Sequence, residues 1–290
     1  MITMKSTVIA ATPNQFALAR SLDDCAKWWW GASLTLKAVG FATGILIFLP
    51  VAQEPLPFLV AAFTILAELT TVRSDSLKGT AQGVRRKLDL QDSFGWEIPG
   101  TEFSDLLVRC PQSVKARAQS DNTTEPYFAS TEPAGPTRAL HNMSESAWWT
   151  KHLAESMARI CTTALVLGVV GALVVLIIAL QTLREHTTQV NTARIVTGFL
   201  MLLLSTGLIK LMLGYSSLAK KASNSEAAAC RLLQIQQPEQ LEAFRLMYEY
   251  HVDRATGLIV PTWIWNRRKD ELNQIWVTHR ATPAVKKAGI

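Results

Sequence analysis

Paired cysteines are missing from this chain. Cys25, Cys110, Cys161 and Cys230 stand far apart, and no two of them form a Cys-x-x-Cys pair. Disulfide scaffolds are small, cysteine-dense secreted chains, so four reduced thiols are expected. Charge is scarce as well. Of 290 residues, 18% are charged and 49% hydrophobic, whereas an ordinary soluble domain carries about 25% charge. So much apolar surface excludes global disorder, and 15 Gly with 12 Pro exclude a collagen-like or low-complexity chain. The first thirty residues lack the basic segment, apolar segment and small-residue site of a cleavable signal peptide. There is no P-loop, no strand followed by Gly-x-Gly-x-x-Gly, no His-Glu-x-x-His and no Gly-x-Ser-x-Gly. His141, His152, His186, His251 and His279 stand apart, with no Cys or acid at metal-ligand spacing. No metal, cofactor or catalytic residue is therefore expected, and the chain reads as non-enzymatic.

What the chain does have is nine Trp and long apolar runs. A bilayer helix needs about 20 mostly apolar residues, or roughly 17 at the low end. Four runs meet that length: Ser33 to Leu49, Leu56 to Val72, Ile160 to Leu180 and Ile195 to Gly214. Their only charges are Lys37, Glu68 and Lys210. A buried soluble hairpin is the competing reading of each pair. Lys and Arg are distributed unevenly around the runs. The turn from Pro50 to Pro57 has none, and the turn from Gln181 to Arg194 has two, Arg184 and Arg194. Residues 1–32, 73–157 and 215–290 carry three, ten and eleven. Basic residues favour the cytoplasmic side, so both termini and the middle segment are expected in the cytoplasm. Lys37 and Lys210 lie toward that same side, where they can snorkel to the interface.

The expected fold is thus all-α: a four-transmembrane-helix protein built of two hairpins, with a largely helical cytoplasmic region. Residues 1–32 form an amphipathic N-terminal helix, 33–72 the first hairpin, 73–159 a cytoplasmic insert, 160–214 the second hairpin and 215–290 a helical tail. The run Trp28-Trp29-Trp30 reads as an interfacial belt. The second run is expected to continue as helix to about Leu88, before the turn signals Phe94-Gly95-Trp96 and Pro99-Gly100. A short helix should cover Glu102 to Val108. Residues 119–137 read as a loop, and a helix should begin near Ser144 or Ser146 and enter the third run. The fourth run is expected to continue unbroken to Gln236. Pro238 then opens a helix with apolar positions Leu241, Phe244, Tyr248, His251 and Val252, which Gly257 should stop. Pro261 starts the last one.

Three features bear on function. Residues 215–290 have eleven basic and seven acidic side chains, against ten and eleven in 73–157. A basic surface beside a membrane can meet anionic headgroups or bind a phosphorylated ligand through arginine. Glu68, an ionisable group inside an apolar run, either partners Lys37 or Lys210 or hydrates near the interface, or it lines a pore as a gating carboxylate. Gly168 and Gly171 offer a small-residue surface for close helix contact.

Three local motifs carry a resemblance. They are Leu88-Asp89 followed by Phe94-Gly95-Trp96, then Trp148-Trp149-Thr150, and last Arg254 with Val260-Pro261-Thr262-Trp263 and Arg267 or Arg268. In these motifs and in the order of its parts, the chain resembles the SMODS-associated four-transmembrane effectors of bacterial cyclic-oligonucleotide antiphage systems. It departs at Leu88, where the family has Phe, and at Met247-Tyr248, where a Gln-Asp pair is expected. The resemblance implies a pore-forming homo-oligomer in the bacterial inner membrane. Its regulatory ligand would be a cyclic nucleotide or oligonucleotide made by a nucleotidyltransferase, with no DNA or RNA partner. Arg245, Arg254, Trp263, Arg267 and Arg268 become the ligand-binding candidates. Two other readings stay open: an effector held closed by its ligand, and a non-conducting scaffold or sensor.

Overall fold

The computed structural model describes residues 14–46, 54–121, 128–182, 186–205, 207–235 and 237–280. Among them there is no strand. The helices are α1 (Gln15–Leu46), α2 (Leu56–Phe94), α3 (Gly100–Arg109), α4 (Gln112–Ser120), α5 (Pro136–Thr182), α6 (His186–Ser205), α7 (Leu208–Leu232), α8 (Gln240–Thr256) and α9 (Thr262–Ile275), followed by a π-helical turn, Trp276–Arg280. Prolines precede many of the starts: Pro55, Pro99, Pro111 and Pro261 sit immediately before α2, α3, α4 and α9. Proline cannot donate the hydrogen bond a helix interior needs, but loses nothing at a helix start. Helix α2 ends at Gly95, whose left-handed φ of 74° lets its N–H reach the Gln91 carbonyl at 2.8 Å.

Two antiparallel pairs organise the molecule. Ser33 and Ser74 hydroxyls donate to the carbonyls of Ala67 and Ala26 at 3.0 and 2.8 Å, so α1 descends as α2 rises. Lys151 meets Glu226 at 3.3 Å and Ser144 meets Cys230 at 3.7 Å, which fixes the same antiparallel sense for α5 and α7. At 1.5 Å per residue, α2 and α5 are about 58 and 70 Å long. A bilayer core is about 30 Å thick, so roughly half of each rod is surplus to one crossing.

The buried cores lie in those surplus halves. One joins Leu18, Leu22 and Ala26 of α1 to Leu77, Val84 and Leu88 of α2 and Val114 of α4. A second joins Trp148 and Met157 of α5 to Tyr215 and Leu218 of α7 and to Ile264 and Leu272 of α9. A third joins Leu140 and Met143 of α5 to Ala229 of α7 and to Ala243, Met247 and Tyr250 of α8. The apolar halves are bare. Helix α2 and the 136–179 part of α5 are long and apolar enough to span a membrane. Their most apolar stretches reach mean hydropathies of 1.5 and 2.7, yet only 17% and 11% of those stretches is buried. Contiguous apolar exposure on that scale marks a surface that meets something other than water.

Several sequence expectations need correction. The fourth run does not continue unbroken to Gln236. Gly207, at a left-handed φ of 67°, separates α6 from α7, and an αL residue ends a helical path. Helix α5 begins at Pro136, not near Ser144, because proline is preorganised for a first turn. Helix α2 passes Leu88 and stops only at its αL glycine. Helix α4 was not expected. On α8 the anticipated apolar stripe is right at His251, which is buried, but Leu241, Tyr248 and Val252 are exposed, and Ala243, Met247 and Tyr250 are buried in their place. Residues 1–13, 47–49 of the first run, 122–127 of the expected loop over 119–137, and 281–290 of the tail lie outside the described residues.

Candidate functional site: a buried polar junction

Where α2, α5 and α8 meet, three apolar faces each contribute polar groups. Asp89 of α2 is 1% exposed, and its Oδ2 lies 3.6 Å from Nε2 of His251 on α8. That separation is too long for a hydrogen bond. Among the described residues, Oδ1 of Asp89, Nε2 of His251 and Oδ1 of Asn142 are buried without a hydrogen-bond partner. Burial pushes the Asp89 carboxyl up to about 6; Arg254 and Arg85 pull against it and Asp92 adds to it. Burial, reinforced by Arg254, Arg86 and Arg85, pushes the His251 imidazole down to about 3. At neutral pH the pair is an anion beside a neutral ring.

One turn along α2, Asp92 is better served. Arg138 of α5 grips it through Nη2 and Nε at 2.7 and 3.2 Å, and the amide of Asn142 donates to it at 2.6 Å and to Ser93 at 3.2 Å. The Gly135 N–H donates to the Ser93 carbonyl at 2.8 Å, tying the start of α5 to the end of α2. On the α8 side, Arg254 Nη1 donates to Ser146 Oγ at 3.1 Å. The buried Tyr250 hydroxyl stands 2.9 Å from the same Ser146 and 3.0 Å from Thr150. Helix α1 closes the arrangement through Asp23. Burial raises its carboxyl pKa, but Lys27, Arg85 and Arg254 outweigh that and hold it below the usual range. Two carboxylates therefore share Arg85 and Arg254, across helices far apart in sequence. Such a network can hold four helices in one arrangement, and its unsatisfied atoms make that arrangement costly to keep.

The expected ligand residues are not gathered. Arg254 points into the junction. Arg245, on the outer face of the same helix, is 78% exposed at its side chain and pairs with Glu249 at 2.9 Å. Trp263 and Arg267 are exposed one turn apart on α9, and Arg268 turns toward α5, donating to Ser156 at 3.4 Å and pairing with Glu271 at 3.0 Å. Trp148 is a core residue, with ring centroids 5.2 Å from Trp276 and 4.7 Å from His152. Trp96 packs on Phe94 and Phe244 at 5.3 and 5.4 Å. The proposed pore carboxylate Glu68 has the partner its structural reading required: Lys37 Nζ lies 3.1 Å away on α1. Gly168 faces Leu203 and Phe199 of α6, while Gly171 faces open space.

Reading by motif marked Asp89 and Arg254 but missed His251, Asp92, Arg138 and Asn142. A usable signal existed: Asp89 and Asp92 at i,i+3, and Arg138 and Asn142 at i,i+4, put polar pairs on otherwise apolar helix faces. No known family model, no characterised protein and no solved structure matches this chain.

Proposed function

We propose that this protein is a membrane-opening effector. In this reading it crosses the bacterial inner membrane four times as two hairpins, with both termini and the middle insert in the cytoplasm. It works as a homo-oligomer, and a cyclic nucleotide or oligonucleotide bound to its cytoplasmic helices switches it, as the resemblance to the four-transmembrane antiphage effectors implies. The observation that carries the proposal is the continuity of α2 and α5. Each passes without a break from a bare apolar half into the polar junction at Asp89, Asn142 and Arg254. A helix is stiff over this length, so a rearrangement at the junction must tilt or turn the apolar half attached to it.

The test is a leakage assay. Cells overproducing the protein should lose membrane potential and admit an impermeant dye. Proteoliposomes should release dye in a manner that depends on an added cyclic oligonucleotide. Release that falls on ligand addition makes the ligand a restraint instead of a trigger. Intact membranes under every condition, with the protein inserted and oligomeric, leave a scaffold and end the proposal. Reporter fusions at Ser120 and Ile290 test the topology separately: both should report cytoplasm, and a periplasmic signal at either overturns the two-hairpin arrangement.

A further inference from the structure

Between α2 and α3 lies a cavity of about 690 Å³. Ligand sites for small molecules commonly fall between about 300 and 1,000 Å³, so the volume suits an organic anion. Its floor is helix backbone. Gly79 and Gly83 sit one turn apart on α2, and a Cβ added at either would meet no atom within 4 Å. Its walls are basic: Arg73, Arg86 and Lys87 come from α2, and Arg109 comes from α3. Two acids also line it, Glu102 and Asp105. Lys87 is paired with Glu102, so that pair is neutral. Arg86 is held over the Tyr248 ring at 5.7 Å, which fixes its position without cancelling its charge. Arg73 and Arg109 are exposed and have no carboxylate partner among the described residues. The Arg73 and Arg109 guanidinium groups, with the Arg86 charge held over Tyr248, thus outnumber the one remaining carboxylate, in a segment whose acids outnumber its bases. Guanidinium forks match phosphate oxygens in pairs, and backbone bared by glycine allows close approach.

We propose that this groove is a binding site for a phosphate-bearing anion. Arg73 and Arg109 make the contacts from opposite walls, Arg86 supplies fixed positive charge, and Gly79 and Gly83 make the room. None of the tail arginines named from sequence lines this groove. The site stands on the groove alone; only its use as the switching ligand's seat rests on the function proposed above. Two sources offer this chemistry. Arg73 directly follows the apolar stretch that ends at Val72, so an anionic lipid headgroup is within reach, and a soluble phosphate ester can enter from the cytoplasm.

The full-length protein is the material for the test. In detergent, calorimetry with inorganic pyrophosphate measures the soluble source. In nanodiscs of phosphatidylcholine with phosphatidylglycerol, native mass spectrometry counts retained phosphatidylglycerol. Wild-type protein should bind at least one probe, and which one identifies the source. The double variant Arg73→Ala/Arg109→Ala should bind that probe at least tenfold more weakly, since each lost charged hydrogen bond is worth about that factor. Gly83→Met leaves every charge in place and fills the groove; it should weaken binding equally, while thermal unfolding is unchanged or improved by the better helix former. Binding of neither probe overturns the proposal, as does equal binding by all three proteins. A changed oligomer mass in Gly83→Met with binding intact also overturns it, making the glycine face a helix contact. None of these results depends on leakage, so failure here leaves the leakage assay to decide the function independently.

Discussion

The two ends of α5 are built for different surroundings. From Pro136 to Met157 it buries Leu140, Met143, Ala147, Trp148 and Met157 against α7, α8 and α9, while its polar side chains bond across helices. From Ile160 to Ile178 the polarity rule inverts: Leu167, Val170, Ile177 and Ile178 all point outward. Helix α2 repeats the contrast in the opposite chain direction, with bare Phe58, Ile65 and Leu69 before a buried Leu77, Val84 and Leu88. The lesson is that apolar content alone does not locate a core. In this chain the densest apolar residues are the least covered, and the packing is done by segments of mixed composition.

The largest expected effect separates those halves directly. Leu140→Ala, at a fully buried site, should lower unfolding stability in detergent by about 2–5 kcal/mol. Leu167→Ala, at a residue 67% exposed, should change it by less than about 0.5 kcal/mol. Equal losses would mean that the apolar half is covered too. Next, Arg138→Ala takes away a bidentate partner of Asp92 and should cost about 1.5–3 kcal/mol, read by denaturant titration. A loss under about 0.5 kcal/mol would show that the junction does not hold α2 to α5.

A third measurement uses pH. His251 has a folded pKa below its unfolded one, so folding loses stability as pH falls from about 6.5 toward about 3. Asp89 has a folded pKa above its unfolded one, so folding gains stability as pH falls from about 6 toward about 4. The two oppose each other in the shared window. Asp89→Asn removes the Asp89 gain, so on going from pH 7 to pH 5 it should lose about 1 kcal/mol of stability relative to wild type. His251→Gln removes the histidine loss, so over the same interval it should gain about 2 kcal/mol relative to wild type. Melting-temperature shifts that, relative to wild type, move in the same direction for both variants would refute this account. The smallest effect is expected at Glu68. Its side chain is 62% exposed beside Lys37, so Glu68→Gln should shift stability in detergent by less than about 1 kcal/mol. Any change in the size or ion preference of conduction in that variant would restore its pore role.

Much of the helical plan was legible from sequence. Apolar runs, prolines before helix starts and Gly95 after α2 each act within a few residues, and local rules read them. The register of α8 was legible only at His251. Counting large apolar side chains selects Leu241, Tyr248 and Val252, but the face that α5 and α7 approach is the one with Ala243, where a small residue allows closeness. Which face is covered depends on partners far away in the chain. The junction failed for the same reason. Asp89 and Arg254 each stood in a recognisable motif, yet no spacing rule announces that they share one buried volume, or that His251 completes it. The break at Gly207 was missed because a lone glycine in an apolar run is usually tolerated within the helix.

That break sets a condition on hydration. Gly207 provides no side-chain cap for α7, and the first N–H groups of any helix lack acceptors of their own. In water this is harmless. In hydrocarbon each bare amide costs several kcal/mol. A bilayer placed over α6 and the start of α7 must therefore give the amides of Leu208 and Ile209 either water or a protein acceptor. The level of Gly207 is where this otherwise oily surface needs either water or a polar partner.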